Sequence, residues 1–325
     1  MKRPLIGESQ VWLTAEGVAN SSAKLVAPGS VLVVVRSGIL KHSLPIALTT
    51  RPVTVNQDVK ALTPNQVLAP AYLARLLKHL EPTVLSWVRA TTADNFPIES
   101  LLDIRVDLPA LADQLRIAAI LDASDAIRIQ RRVLLADFDS LTKSIFDAAF
   151  EGEDSRLPRV RLGDVIKWSN GKFLPAKAQT GGPFAVYGGN GVNGTHNEFL
   201  YEERRLIIGR VGAYCGVVHL TQPKSWVTDN ALIGTLLDPG LTVEYLLPAL
   251  SVANLNQYAA TSGQPSISAG RIADVLIPRP SLADQQKFAA QASAIHAERI
   301  RVELALVSDQ ELFGSLESHA FSGGL

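Results

Sequence analysis

Two patterns of apolar and polar positions alternate along the chain. Runs of four to eight residues rich in Val, Ile and Leu, bounded by Gly, Pro and Asn, predict β-strands. Val31–Arg36, Pro52–Val55, Leu206–Gly209 and Gly216–Leu220 are of this kind, and Ala71–His79 and Val243–Asn254 fit short helices. The second pattern fills Leu111–Glu151 and Leu282–Phe321, two stretches without proline. In the first, Ile117, Ser124, Arg131, Phe138 and Ile145 recur every seven residues, as do Ile120, Ile127, Leu134, Leu141 and Ala148. In the second, Phe288, Ile295, Val302 and Leu316 keep one phase, interrupted by Gln291, Glu298 and Asp309. Such heptads predict a left-handed coiled coil rather than amphipathic helices packed on their own domains. About 40 residues at 1.5 Å each make a rod of roughly 60 Å.

The chain also repeats itself. "LPALADQLRIAAI" (Leu108 to Ile120) parallels "RPSLADQQKFAAQ" (Arg279 to Gln291), with Leu111-Ala-Asp-Gln114 on Leu282-Ala-Asp-Gln285, an offset of 282 − 111 = 171. The same offset places Ser144 on Ser315, Phe150 on Phe321 and Gly152 on Gly323. Upstream, "VLVVVRSGIL" lies over "RLIIGRVGAY", pairing Arg36 with Arg210, and "VTVNQDVKAL" lies over "SWVTDNALIG". The reading is a tandem duplication of a strand-rich unit followed by a long helix, a mixed α/β chain. The expected divisions are 1–109, 110–156, 157–280 and 281–325, two units and two antiparallel helices with pseudo-two-fold symmetry. Duplex DNA suits such symmetry, because paired half-sites map onto paired protein units.

Composition narrows the chemistry little. The 325 residues carry 31 basic and 31 acidic side chains, so the strong positive charge of many nucleic-acid binders is missing. Acids and bases on different faces would still allow DNA contact. One cysteine, Cys215, excludes an internal disulfide and fits a reducing cytoplasm. Six scattered histidines argue against a metal enzyme. No apolar run approaches a membrane span of roughly 20 residues, and "MKRPLIGESQ" does not read as a secretory signal.

The order "RLGDVIKWSNGK", "VYGGNGVNG", "IIGRVGAYCG", "WVTDNAL", "NLNQYAATSGQPSIS", "IPRPSLADQ" resembles a target recognition domain of the specificity subunit of type I restriction–modification systems. "LVAPGSVLVVVRSGILKHSLPIALTTRPVTVNQDVKAL" is similar to another variety of that domain, so the resemblance covers nearly the whole chain. It implies two domains, each reading half of a split site on double-stranded DNA, and two helices that act as ruler and dock. The implied partners are two modification (methyltransferase) subunits, which carry S-adenosylmethionine, and restriction subunits, which use ATP and Mg; no cofactor binds this chain directly and no residue is catalytic. "DNFP" at Asp94–Pro97 lacks the second proline of an amino-methyltransferase loop. One departure concerns the first unit. Nothing in it matches "VRLGDV" near Val160, so it is expected to lack the opening strand of its fold.

Base readout calls for planar bidentate groups, and phosphate contact for Lys, Arg, Ser or Thr. On loops marked by Gly and Pro, the second unit offers Lys172, Asn190, Asn193, Arg210, Tyr214, Lys224, Ser262 and Gln264; the first offers Arg36, Ser37, His42, Gln57, Arg89 and Thr92. Each has a plainer reading. Arg210 would pair with Asp229, Asn230 and Asn56 would shape turns, Trp87, Trp168 and Trp226 would anchor cores, and Cys215 would be a small buried residue. Two other functions compete. Gly189–Gly194 spells G-x-G-x-x-G, a nucleotide-dependent enzyme's fingerprint, but "THNEFLYEERR" leaves no room for its crossover helix. A coiled-coil scaffold whose ends bind proteins is the other.

Overall fold

The computed structural model describes residues 4–9, 11–89, 94–152, 157–260 and 263–323. They form two compact units, one of residues 1–132 with 304–325, the other of residues 133–303. Each unit therefore holds its own strands and helical segments from both long helices, Leu111–Phe146 and Leu282–Ser322.

In the second unit the sheet order is Val218–Leu220, Leu206–Gly209, Ala231–Leu236, Ile166–Asn170, all antiparallel. Gly191–His196, Phe184–Gly188 and Trp226–Val227 make a three-stranded sheet, and Leu276–Pro278 pairs with Arg159–Arg161. Leu206, Ile207 and Ile208 are all buried, as their unbroken apolar run predicts for a central strand. Helix Val243–Val252, capped by the Thr242 hydroxyl accepting from the Tyr245 N–H, closes the core. Its Tyr245 meets Phe150 edge-on at 5.5 Å, and Phe288 meets Phe150 at 5.3 Å and Phe146 at 5.5 Å.

The first unit repeats three strands of this plan. Val31–Val34 lies between Ile46–Thr49 and Val59–Leu62, with Leu5–Ile6 added in parallel beyond Ile46–Thr49. Val31 faces Leu48 and Leu62 as Leu206 faces Leu220 and Gly234. That register shifts the sequence match by one residue. Phe96 N–H donates to the Val35 carbonyl as Ile267 N–H donates to that of Arg210, and Ser37 N–H donates to Asp94 as Gly212 N–H donates to Pro265. Buried Val35 thus occupies the place of Arg210, and Arg36 that of Val211. Because successive strand residues point to opposite faces, Arg36 and Arg210 are not counterparts.

The helices pair antiparallel within each unit. In the first, Ile117, Ala118 and Leu121 share a core cluster with Phe313 and Ala320, and Arg131 pairs with Asp309. In the second, Phe146 meets Phe288, and Arg299 pairs with Asp139 at 3.4 Å. The heptad line through Ile117 and the one through Phe288 do face the partner, and the interruptions Arg131 and Asp309 neutralise each other. The companion line through Ile120 is a correction: Ile127, Leu134 and Leu141 are exposed. The covered companions are Leu121, Arg128, Leu135 and Thr142 on one helix and Ala292, Arg299, Leu306 and Phe313 on the other. Apolarity misleads here because Arg128 and Thr142 interrupt the true line, whereas the exposed line is apolar throughout. Arg128 serves the seam by laying its guanidinium 3.5 Å from the centre of the Phe313 ring.

Each long helix begins on a buried glutamine. Gln114 accepts from the Ala69 N–H (2.8 Å) and donates to the carbonyls of Val67 and Pro109, both 2.9 Å. Gln285 accepts from the Thr242 N–H (3.0 Å) and donates to Gly240 (2.7 Å) and Pro280 (3.0 Å). An unpaired buried polar group costs about 1–3 kcal/mol, so Gln285→Leu should lower the unfolding free energy by about 3 kcal/mol. Denaturant titration should likewise separate Phe288→Ala, at about 3–5 kcal/mol, from exposed Leu134→Ala, within about 0.5 kcal/mol. Equal losses would restore the line through Ile120.

Candidate nucleic-acid interface

In the second unit, the loops after Phe184–Gly188 and Leu206–Gly209 meet. Gly188 pairs with Gly191, so Gly189 and Asn190 form a two-residue hairpin turn, with Gly191 at φ +84°. Only glycine takes that conformation cheaply. G-x-G-x-x-G is therefore strand–turn–strand, without the helix N-terminus that holds a dinucleotide pyrophosphate, and the nucleotide-enzyme reading falls. A Cβ on Gly189 would lie 3.1 Å from the Asn230 carbonyl and 3.5 Å from the Gly209 Cα, so the turn rests on the end of the neighbouring sheet. The Arg210 N–H donates to that same Asn230 carbonyl at 2.9 Å.

Exposed Asn190 and half-buried Arg210 are thus neighbours. Gln264 joins them: its amide nitrogen lies 3.3 Å from where a Gly212 Cβ would stand, and Gly212 binds the Pro265 carbonyl. Tyr214 closes the short turn Gly212–Tyr214 between them and is exposed. Lys172 and Asn193 sit at an adjoining place. Lys172 N–H donates to Val227, its ammonium lies 5.4 Å from the centre of the Trp226 ring, and the Asn193 amide rests against Gly188. Lys224 stands apart, at the other end of Trp226–Val227, held 3.6 Å from Glu202. Ser262 lies outside the described residues.

Arg210 makes no ion pair with Asp229 among the described residues; it lines a cavity of about 290 Å³ with Trp168, Ser169, Asn170 and Ser268. Asn170 and Ser268 are polar, exposed and were not singled out by the sequence. The signal was weak, a Ser-Asn pair closing a strand and a Ser inside "SISAG". Trp226 is a core residue as expected, and Trp87 and Trp168 pack half-buried on their cores. Cys215 is buried, which pushes its thiol pKa up and away from nucleophilic chemistry.

In the first unit, four candidates converge on the end of Val31–Val34. The backbones of Arg36 and Arg89 both pair with that of Asn95, Ser37 caps the turn Gly38–Lys41 and its N–H donates to the Asp94 carbonyl, and Gln57 sits in the turn whose Asp58 carbonyl receives the Val35 N–H. Asn56 shapes that turn, its side chain accepting from the Asp58 N–H at 3.2 Å. Asp58 also draws Arg36 to 3.9 Å. His42 ends the Gly38–Lys41 turn, exposed. Thr92 lies outside the described residues.

Behind the hairpin stands His219. A Cβ on Gly191 would lie 3.4 Å from its ring, burial lowers its pKa, and a hydrogen bond to the Gly189 backbone partly offsets this. A histidine with a lowered folded pKa takes up protons more readily when unfolded. Its contribution to stability is full above the unfolded pKa of about 6.5 and is lost as pH falls below it. Unfolding free energy should therefore drop between neutral and mildly acidic pH more steeply than in His219→Gln. Parallel pH profiles would remove His219 from the account.

Two segments, 8–135 and 158–303, match the family model of the type I restriction modification DNA specificity domain. The chain is 26% identical over 294 residues to the EcoprrI specificity subunit of Escherichia coli, covering 84% of this chain and 72% of that one. It is 34% identical over 129 residues to the EcoR124I/EcoR124II specificity subunit of the same organism, 39% of this chain and 32% of that one. The crystal structure of the type I S subunit from M. genitalium shares the fold at a TM-score of 0.65 and 16% identity, over 92% of this chain and 84% of that one. A structure from a study of type I assembly and conformational transition shares it at 0.51 and 18%, over 95% and 86%.

Proposed function

The chain belongs to the type I restriction modification DNA specificity family, and we propose that it reads a bipartite site on duplex DNA, one unit per half-site. It is a non-catalytic subunit with two recognition domains. The proposed reading domains are 1–109 and 157–280, and the helices 110–156 and 281–325. The observation that carries the reading is that loops at the same end of the repeated three-stranded core hold polar side chains in both units, Arg36, Arg89 and Gln57 in one and Arg210 and Gln264 in the other, where the hairpin turn adds Asn190. These are the groups that meet base edges bidentately, while Lys172 suits a phosphate. Ser37, His42, Thr92, Asn193, Tyr214, Lys224 and Ser262 complete the proposed contact set. Lys224 contributes after release from Glu202.

The exposed line Ile127, Leu134, Leu141 on the first helix and Leu304 and Val307 on the second are proposed docks for two modification subunits. S-adenosylmethionine, ATP and Mg belong, in this reading, to those and to restriction subunits. A cytoplasmic location follows from such a role; no helix among the described residues is long and apolar enough to cross a membrane.

Affinity measured for the chain assembled with its modification subunits tests the reading. Arg210→Ala should cost about 1–3 kcal/mol and relax discrimination at one base pair, whereas Lys172→Ala should weaken all sequences alike and lower the salt slope by about 1. Leu134→Glu should abolish co-purification with the modification subunit at unchanged melting temperature. Site-specific binding unaffected by Arg210→Ala and Lys172→Ala would overturn the assignment of this face.

A further inference from the structure

The two units differ at one edge. In the second, Ala231–Leu236 carries a strand on each side, because Ile166–Asn170 pairs with it from Leu232↔Asn170 to Leu236↔Ile166. In the first, the equivalent strand Val59–Leu62 pairs with Val31–Val34 alone among the described residues. The consequence is visible in burial. Ala231, Leu232, Ile233 and Gly234 are buried, whereas none of Val59, Lys60, Ala61 and Leu62 is. The difference continues below the sheet. Ile277, paired with Val160, is 1% exposed, and its counterpart Val106 at the offset of 171 is 43% exposed. Leu102, counterpart of Ala273, is also exposed.

We propose that this edge of the first unit binds a polypeptide strand not supplied by the described residues, with the chemistry of Arg159–Gly171. The occupant is drawn by the chain itself. In the second unit Arg159–Arg161 covers Ile277, Leu162, Val165 and Ile166 are buried in the core, and the Gly171 N–H donates to Ala231. Among the described residues of the first unit, no strand covers Val106 and none pairs with the outer edge of Val59–Leu62. Antiparallel alternation turns the N–H groups of Lys60 and Leu62 toward Val31–Val34 and leaves that of Ala61 facing outward, as Ile233 faces Ser169. An unpaired edge beside exposed Val and Leu is a template for strand addition, the backbone giving affinity and the alternate side chains selectivity. The inference rests on the repeat and the sheet, and it holds or fails independently of DNA reading.

The test uses the full chain and a labelled synthetic peptide of residues 158–171. Fluorescence anisotropy should show saturable uptake in the micromolar range, none for a scrambled peptide, and a melting temperature raised by the peptide. Ala61→Pro removes the outward donor while sparing the bonds to Val31–Val34, and should weaken uptake at least tenfold. Should that variant fold poorly, Leu102→Lys with Val106→Lys, both at exposed sites, should weaken it similarly at unchanged circular dichroism. No uptake, or equal uptake by wild type and variants, overturns the proposal. A dimer that these substitutions disperse, without peptide uptake, also overturns it, in favour of edge pairing between two copies.

Discussion

Everything in this molecule hangs on how firmly a long helix is tied to its own sheet, and the tie is a buried glutamine amide. Gln114 and Gln285 are wholly shielded from solvent, and each binds three backbone groups. Two of these groups belong to the loop entering the short helix and one to the proline before the long helix. A shorter or apolar side chain would leave the same peptide groups desolvated and unpaired, at a cost comparable to a large part of a domain's net stability. The amide fixes the direction in which the helix leaves the sheet. It also explains why a glutamine stands at this place in both repeats.

From that anchoring follows a division of labour. Strands buried on both faces give rigidity, and the turns at their ends carry the polar groups that can meet a ligand. The chain's neutral total charge is compatible with this. Acidic groups are spent locally, Asp238 on Arg279, Asp309 on Arg131 and Glu202 on Lys224, while Arg210 lines a cavity with Trp168, Asn170 and Ser268 and has no ion pair among the described residues. The Arg279 guanidinium bonded to Asp238 holds that carboxyl below its ordinary range.

Much of this could be read from the residues alone, and the failures are instructive. The duplication, the central strands and the antiparallel helices follow from periodicity and from an offset held over separate blocks. The helix seam was only half legible. Ile127, Leu134 and Leu141 form an unbroken apolar line, whereas the covered line of Arg128, Leu135 and Thr142 is polar on either side of its leucine. The equivalence of Arg36 and Arg210 failed by one residue, since a chance arginine match outweighed a register that only backbone pairing defines. Gly189–Gly194 matched a nucleotide fingerprint because tight turns and pyrophosphate loops need the same freedom of φ; the strand that follows, Gly191–His196, decides between them. Asn170 and Ser268 were missed because nothing local marks them, and only the fold brings them to Arg210.

The central claim is one reading unit for each half of a split site. Methylation mapping across the genome of a host expressing the complex, with the wild-type chain and with Asn190 and Arg210 jointly replaced by alanine, tests it most directly. The expected result is two short specific blocks separated by a fixed unspecified spacer, with the substitutions degrading one block and leaving the other unchanged. Loss of preference in both blocks alike, or a continuous motif without a spacer, would contradict it.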